Sequence, residues 1–116
     1  MRKNEKIYSI DEIKKLIVDI FANYGIKAAY VFGSYARGEA TKDSDVDIMI
    51  KKGDTKISLV TLGALFNDIE ARLKKPVDII TEETYTDDIK YDNASKKQAK
   101  KIFYNEVLND RVKIYG

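Results

Sequence analysis

The chain has no histidine, no cysteine and no tryptophan, and only one proline. Without histidine or cysteine, it cannot build a Ser-His-Asp triad, a Cys nucleophile or a Cys/His zinc site from its own residues. Any catalysis must therefore run on carboxylates, Lys, Arg, Tyr or a hard metal ion held by oxygen ligands. The lack of cysteine also removes a disulfide framework and any argument for secretion, so a cytoplasmic location is expected. Long apolar runs are missing too, which argues against a membrane span. The N-terminal Met1-Arg2-Lys3-Asn4-Glu5-Lys6 leads into a helix pattern and not into the apolar core of a signal peptide. Neither sign of charge dominates: 21 Lys and Arg stand against 19 Asp and Glu, a net charge of +2. That balance does not predict nucleic acid as a direct partner.

What is present is ordinary globular material, 44% hydrophobic and 34% charged over 116 residues. That length suits one core and is short for a catalytic domain plus a separate substrate domain. Ser9 and Glu12 have capping-box spacing, and Tyr8 with Ile13 has the spacing of a hydrophobic staple. Ile10, Ile13, Ile17, Ile20 and Phe21 then recur at helical period and Gly25 can close the helix, which predicts a helix over Ile10–Asn23. A short buried strand follows over 27–32, then one helical turn over 34–38 and a polar loop over 39–43. Asp45 to Lys51 alternates, with the two aspartates on one face and Val46, Ile48 and Ile50 on the other: a half-buried strand. Leu59, Leu62, Leu65, Phe66, Ile69 and Leu73 predict a second amphipathic helix. Pro76 can start a strand that Val77-Asp78-Ile79-Ile80 continues. A helix over 96–108 is expected with Ala99, Ile102, Phe103 and Val107 inward, and a terminal strand over 112–115.

Three features converge on one chemistry. Gly33-Ser34 follows a buried strand and opens a helical turn, where backbone N–H groups and a hydroxyl can meet a phosphate, and Arg37 can add a charged fork. Asp45 and Asp47 project from one face with Cα atoms roughly 6–7 Å apart, a span from which two carboxylates can converge on a pair of ions about 3.5–4 Å apart. Asp78 is the single charge in an apolar strand, where a carboxylate is costly unless paired or bound to metal. Each alone has a plain reading: a turn, a solvated face, a strand end. In this order and in these strand contexts the functional reading is preferred.

The stretch Gly33-Ser34-Tyr35-Ala36-Arg37-Gly38, followed by Ser44-Asp45-Val46-Asp47-Ile48-Met49-Ile50, resembles the signature of the DNA-polymerase-β-type nucleotidyltransferase superfamily. Gly33 to Gly38 is not a Walker A loop, since no Gly-Lys-Ser/Thr follows. The short chain is most similar to the minimal nucleotidyltransferase (MNT) branch, antitoxins paired with HEPN-domain toxins. The resemblance implies an α+β fold with a mixed sheet and flanking helices, a single nucleotidyltransferase domain over 1–116 with its core from about residue 8. It implies Asp45, Asp47 and Asp78 as catalytic residues and Mg2+ ligands, and Gly33, Ser34, Arg37 and Ser44 as nucleotide-binding residues. The implied reaction is attack of a hydroxyl on the α-phosphate of ATP, with AMP passing to a tyrosine of the HEPN partner. The alternatives are a non-catalytic antitoxin that acts by occlusion, and a transferase for a small molecule or an RNA end. Lys90, Lys96, Lys97, Lys100 and Lys101, with Tyr91, Phe103 and Tyr104, form the most basic stretch, read as a solvated helix face over a core-facing apolar one.

Overall fold

Ser9 caps the first helix as its spacing requires. Its hydroxyl accepts from the Glu12 N–H at 3.1 Å, and the Ser9 N–H donates to Glu12 Oε1 at 3.0 Å. The helix α1 runs Ile10–Asn23 and buries Ile13, Ile17, Ile20 and Phe21; Gly25 follows at φ 69°. The structure, a computed structural model, describes residues 5–116; Met1 to Asn4 of the charged N-terminal stretch lie outside the described residues. From there the order is β1 (Ala28–Phe32), α2 (Gly33–Arg37), β2 (Val46–Lys51), α3 (Leu59–Leu73), β3 (Val77–Thr81), α4 (Glu83–Thr86), a 3-10 turn (Asp88–Tyr91), α5 (Ala94–Asp110) and β4 (Val112–Tyr115).

The four strands make one mixed sheet in the order β3-β2-β1-β4. β1 pairs antiparallel with β2 and β4, and β2 pairs parallel with β3. The parallel pair needs a crossover, which α3 supplies. α1 and α3 cover one face through Ile13, Ile17, Phe21, Leu65 and Ile69, against Val31, Val46, Ile48 and Ile50. The opposite face holds Phe32, Met49 and Val107, with Ile80, Tyr85 and Tyr104 packed around them. The central strand β2 is therefore covered on both faces, and Met49 is as buried as Ile48.

Three expectations need correction. Asp45 does not begin the strand; it stands one residue ahead of β2. Leu59 does not join the core of α3 and is 86% exposed at the helix start. The inward face of α5 is also rotated from the one its apolar residues suggest. Val107 is buried, Lys97, Lys100 and Tyr104 are half-buried and Phe103 packs edge-on against Phe32 while staying part-exposed, whereas Ala99 and Ile102 are exposed. Polar anchors fix that rotation. Tyr104 donates to Glu82 Oε2 at 2.7 Å, and Lys100 pairs with Asp92 at 2.7 Å. Arg111, just past the helix, also pairs with Glu82 and lies 3.9 Å over the Tyr30 ring. With the buried Glu82 carboxylate to satisfy, the helix turns the Tyr104 hydroxyl inward, and Lys100 is drawn to Asp92 on the same side.

Candidate active site

Strand register brings the site together. Phe32 pairs with Asp47 across β1–β2, and Asp47 pairs with Asp78 across β2–β3. Phe32, Asp47 and Asp78 thus lie in one row across the sheet, with neighbouring strands about 4.8 Å apart. By strand alternation Asp47 shares a face with Met49, and Asp78 with Ile80, so both point to the side that α5 covers. Gly33 continues the row from β1 into α2. It adopts φ 72°, and a Cβ there would run into the Asp47 carboxylate, 3.3 Å from its Cγ. Only glycine allows this approach of backbone to acid.

The carboxylates repel one another. The Asp47 carboxyl is pushed up to about 6, first by burial and then by the charges of Asp78 and Asp45, with Arg37 pulling the other way. Among the described residues none of the three has a hydrogen-bond or ion-pair partner. No group of three acids among the described residues is gathered tightly enough to hold an ion unaided. This donor set fits a hard divalent cation held jointly by one or two protein carboxylates and by substrate phosphates, the usual manner of Mg2+. The unpaired, mutually repelling acids are what such a cation would relieve.

Asp47 lines a cavity of about 190 Å³ with Phe32, Gly33, Arg37, Phe103, Glu106, Val107 and Asp110. Arg37 is there, but its Nε donates to Glu39 at 3.1 Å and its Nη1 to Asp110 at 3.0 Å. Those two acids hold its guanidinium firmly protonated. The Ser44 hydroxyl accepts from the Thr41 N–H at 2.9 Å and shapes the turn ahead of Asp45. Ser34 lies half-buried in α2, and Asp45 and Asp78 are exposed. Phe103, Glu106 and Asp110 escaped the sequence reading because their place depends on the rotation of α5, which no local pattern records. A larger cleft of about 620 Å³, between the ends of α1 and α3, is lined by Tyr24, Asp68 and Arg72 and holds none of the sequence-marked residues.

A glycine-led turn after β1, Asp45 just ahead of β2, Asp47 within it and Asp78 in register on β3 are thus gathered at one end of the sheet. A family model for the polymerase β nucleotidyltransferases matches residues 15–115, and the chain belongs to that family. It is 44% identical over 73 residues to MJ0435 of Methanocaldococcus jannaschii, a candidate protein adenylyltransferase, covering 63% of this chain and 77% of the relative. To the protein adenylyltransferase MntA of Thermococcus cleftensis it is 32% identical over 80 residues, 66% of this chain and 80% of MntA. Among solved structures it is similar to a chain of a toxin–antitoxin crystal structure with AMP-PNP, at TM-score 0.63 and 18% identity, covering 89% of this chain and 73% of that one. It is also similar to a chain of the tri-AMPylated Shewanella oneidensis HEPN toxin in complex with MNT antitoxin, at TM-score 0.59 and 16% identity, covering 92% and 72%. At these identities the structural likeness is one of fold.

Proposed function

We propose that this chain is a magnesium-dependent protein adenylyltransferase that moves AMP from ATP to a tyrosine hydroxyl of a separate HEPN-type toxin, and so serves as its antitoxin. The observation that carries the reading is the row Phe32–Asp47–Asp78 with Gly33 packed against the Asp47 carboxylate. A glycine-led turn on one side of Asp47 and a second acid on the other support a site for a metal-bound triphosphate. Curated relatives named as protein adenylyltransferases support the reaction. The fold shared with the antitoxin of an AMPylated HEPN toxin supports the partner.

Each residue has work that its position suits. Backbone N–H groups at Gly33 and the Ser34 hydroxyl bind the leaving phosphates, with Arg37 adding positive charge at the cavity wall. Ser44 sets the turn that aims Asp45. Asp45, Asp47 and Asp78 would hold magnesium together with the substrate phosphates, and the ion would supply charge neutralisation on the triphosphate. The tyrosine oxygen bonds to the α-phosphorus, the bond from that phosphorus to the bridging oxygen breaks, and pyrophosphate leaves. Asp78 takes the phenolic proton, a role no histidine here can fill. The phenol's ordinary value of about 10 makes it a better-disposed nucleophile than an aliphatic hydroxyl. We take residues 1–116 as one nucleotidyltransferase domain, its core from about residue 8, acting in the cytoplasm, where ATP and magnesium are plentiful. No described helix is long and apolar enough to cross a membrane.

Intact-mass spectrometry of a co-expressed toxin tests the reading. The wild-type chain should add one or more AMP units to a toxin tyrosine. Asp47→Asn should slow transfer by at least on the order of 10²–10³. An unmodified toxin that the wild-type chain nonetheless neutralises would replace this reading with occlusion.

A further inference from the structure

Two polar side chains are buried among the described residues, Lys75 at 1% exposure and Glu82 at 5%. Glu82 is met by Tyr104 and Arg111 and belongs to the anchoring of α5. Lys75 lies at the opposite end of β3, the end that carries Asp78. It sits in the short link between α3 and β3, after Lys74, whose φ of 55° closes the helix, and before Pro76. A residue that precedes proline is held extended, so a stiff backbone sets the direction of the Lys75 side chain. Its Nζ donates to the Lys42 carbonyl at 3.3 Å. Lys42 belongs to the turn that leads into Asp45. Inside that turn the Ser44 N–H donates to the Thr41 carbonyl at 3.1 Å, and the Ser44 hydroxyl accepts from the Thr41 N–H at 2.9 Å. Those bonds close the turn on itself and leave its place against the sheet to other contacts.

Asp45 stands between that turn and β2. On its strand side the chain is secured, because the Val46 N–H donates to the Pro76 carbonyl at 3.0 Å and Val46 pairs with Val77. On its turn side the bond from Lys75 comes from the same link. Lys75 and Pro76 thus hold residues 42 and 46 from one short piece of chain, with Asp45 between them. A metal ligand has to be held within about 0.5 Å of its working place. Burying an ammonium costs stability that an apolar side chain of similar length would not. We propose that Lys75 is a positioning residue of the metal site: through the Lys42 carbonyl it fixes the turn that presents Asp45 to nucleotide-bound magnesium beside Asp47 and Asp78. The inference rests on the adenylyltransferase reading and adds to it a residue that acts without touching metal or substrate. The competing role is that of a cation just past the C-terminus of α3, favoured by the helix dipole and without effect on the metal.

ATP binding to the whole chain, measured by calorimetry across a magnesium titration, tests this together with amide hydrogen exchange in EDTA. Lys75→Met keeps the length of the side chain and removes its donor. It should raise the magnesium concentration that half-supports ATP binding about 10-fold, with magnesium-free binding unchanged. In EDTA its Ser44 amide should exchange at least about 10-fold faster than in wild type, a larger change than at Ile17 or Leu65 in the core. Lys75→Arg, which keeps a charged donor, should fall between the two in both measurements. A lower Tm for Lys75→Met with the wild-type magnesium midpoint makes Lys75 a helix-end cation and overturns the proposal. Should Lys75→Met not fold, exchange in the wild type decides. A Ser44 amide as protected as that of Val46 supports the hold, and one that exchanges like an open loop overturns it. A wild type that binds ATP equally with and without magnesium would remove the adenylyltransferase reading itself, and this inference with it. A magnesium effect in wild type that Lys75→Met shares in full removes only the role of Lys75.

Discussion

Asp47 is the residue on which the site's electrostatics converge. Burial, Asp78 and Asp45 all raise its carboxyl, to about 6. An aspartate in an unfolded chain titrates near about 4, so between these values the native state binds the extra proton. The contribution of Asp47 to stability is therefore most favourable below about pH 4 and is lost as pH rises through about 6. Near neutrality the metal-free protein carries this ionised group at a cost of about 1–3 kcal/mol, reduced by the solvent that still reaches it. Asp47→Asn, in EDTA, should melt several degrees above wild type at neutral pH, and the gap should close near about pH 4. A variant that melts below wild type at neutral pH would contradict the burial and repulsion that define the site. Stability given up at a site in this way is a usual mark of function. That Asp47 and Asp78 lie on strands was legible beforehand from the apolar pattern around them, and Gly33 from its place after a buried strand, whereas Asp45 was expected within β2 and stands one residue ahead of it. Phe103, Glu106 and Asp110 were not legible, since each is an unremarkable helix residue until the fold sets it beside Asp47.

At the scale of elements, the helices with strong apolar periods were readable, with α1 ending where its caps put it. α5 was readable as a helix but not in its orientation. What orients it is Glu82, 5% exposed at the end of β3, a residue with no local signal. Burial alone would raise its carboxyl, but hydrogen bonds from Tyr104 and Arg111, with the charges of Arg111 and Lys51, outweigh that and lower it. Burial and the same carboxylate push the Tyr104 hydroxyl up to about 12. One buried acid thus ties β3 to the α5–β4 segment. Removing one partner of a buried pair leaves the other charge uncompensated, so Glu82→Gln should cost about 3 kcal/mol. Urea denaturation checks this through the midpoint. An unchanged midpoint would mean that Val107 and the aromatic packing hold α5 without the ion pair. The exposed Lys6–Glu12 pair at the start of α1 makes the contrast, since solvent and salt screen it.

On the scale of the whole molecule, the acids that weaken the fold are the ones that nucleotide and metal together should stabilise. α1 and α3 fill one face of the sheet. The other is only partly covered, which leaves a cavity of about 190 Å³ beside Asp47 open to a second molecule. An acceptor on a separate protein suits such a site, because the fold provides little wall to enclose a small metabolite. Magnesium with ATP should stabilise the fold by RT ln(1 + [L]/Kd), about 2.7 kcal/mol at a hundredfold excess over Kd, which is a rise in Tm of several degrees. The rise should shrink sharply in EDTA, because the triphosphate would then meet Asp45, Asp47 and Asp78 as uncompensated like charges. Differential scanning fluorimetry with ATP, in magnesium and in EDTA, separates the contributions. Equal rises would mean that α2 and Arg37 hold the phosphates alone and that the acids play no part in binding. A rise with magnesium that disappears in Asp47→Asn would tie the metal to this row, because the substitution removes a charge while leaving Gly33, Ser34 and Arg37 in place.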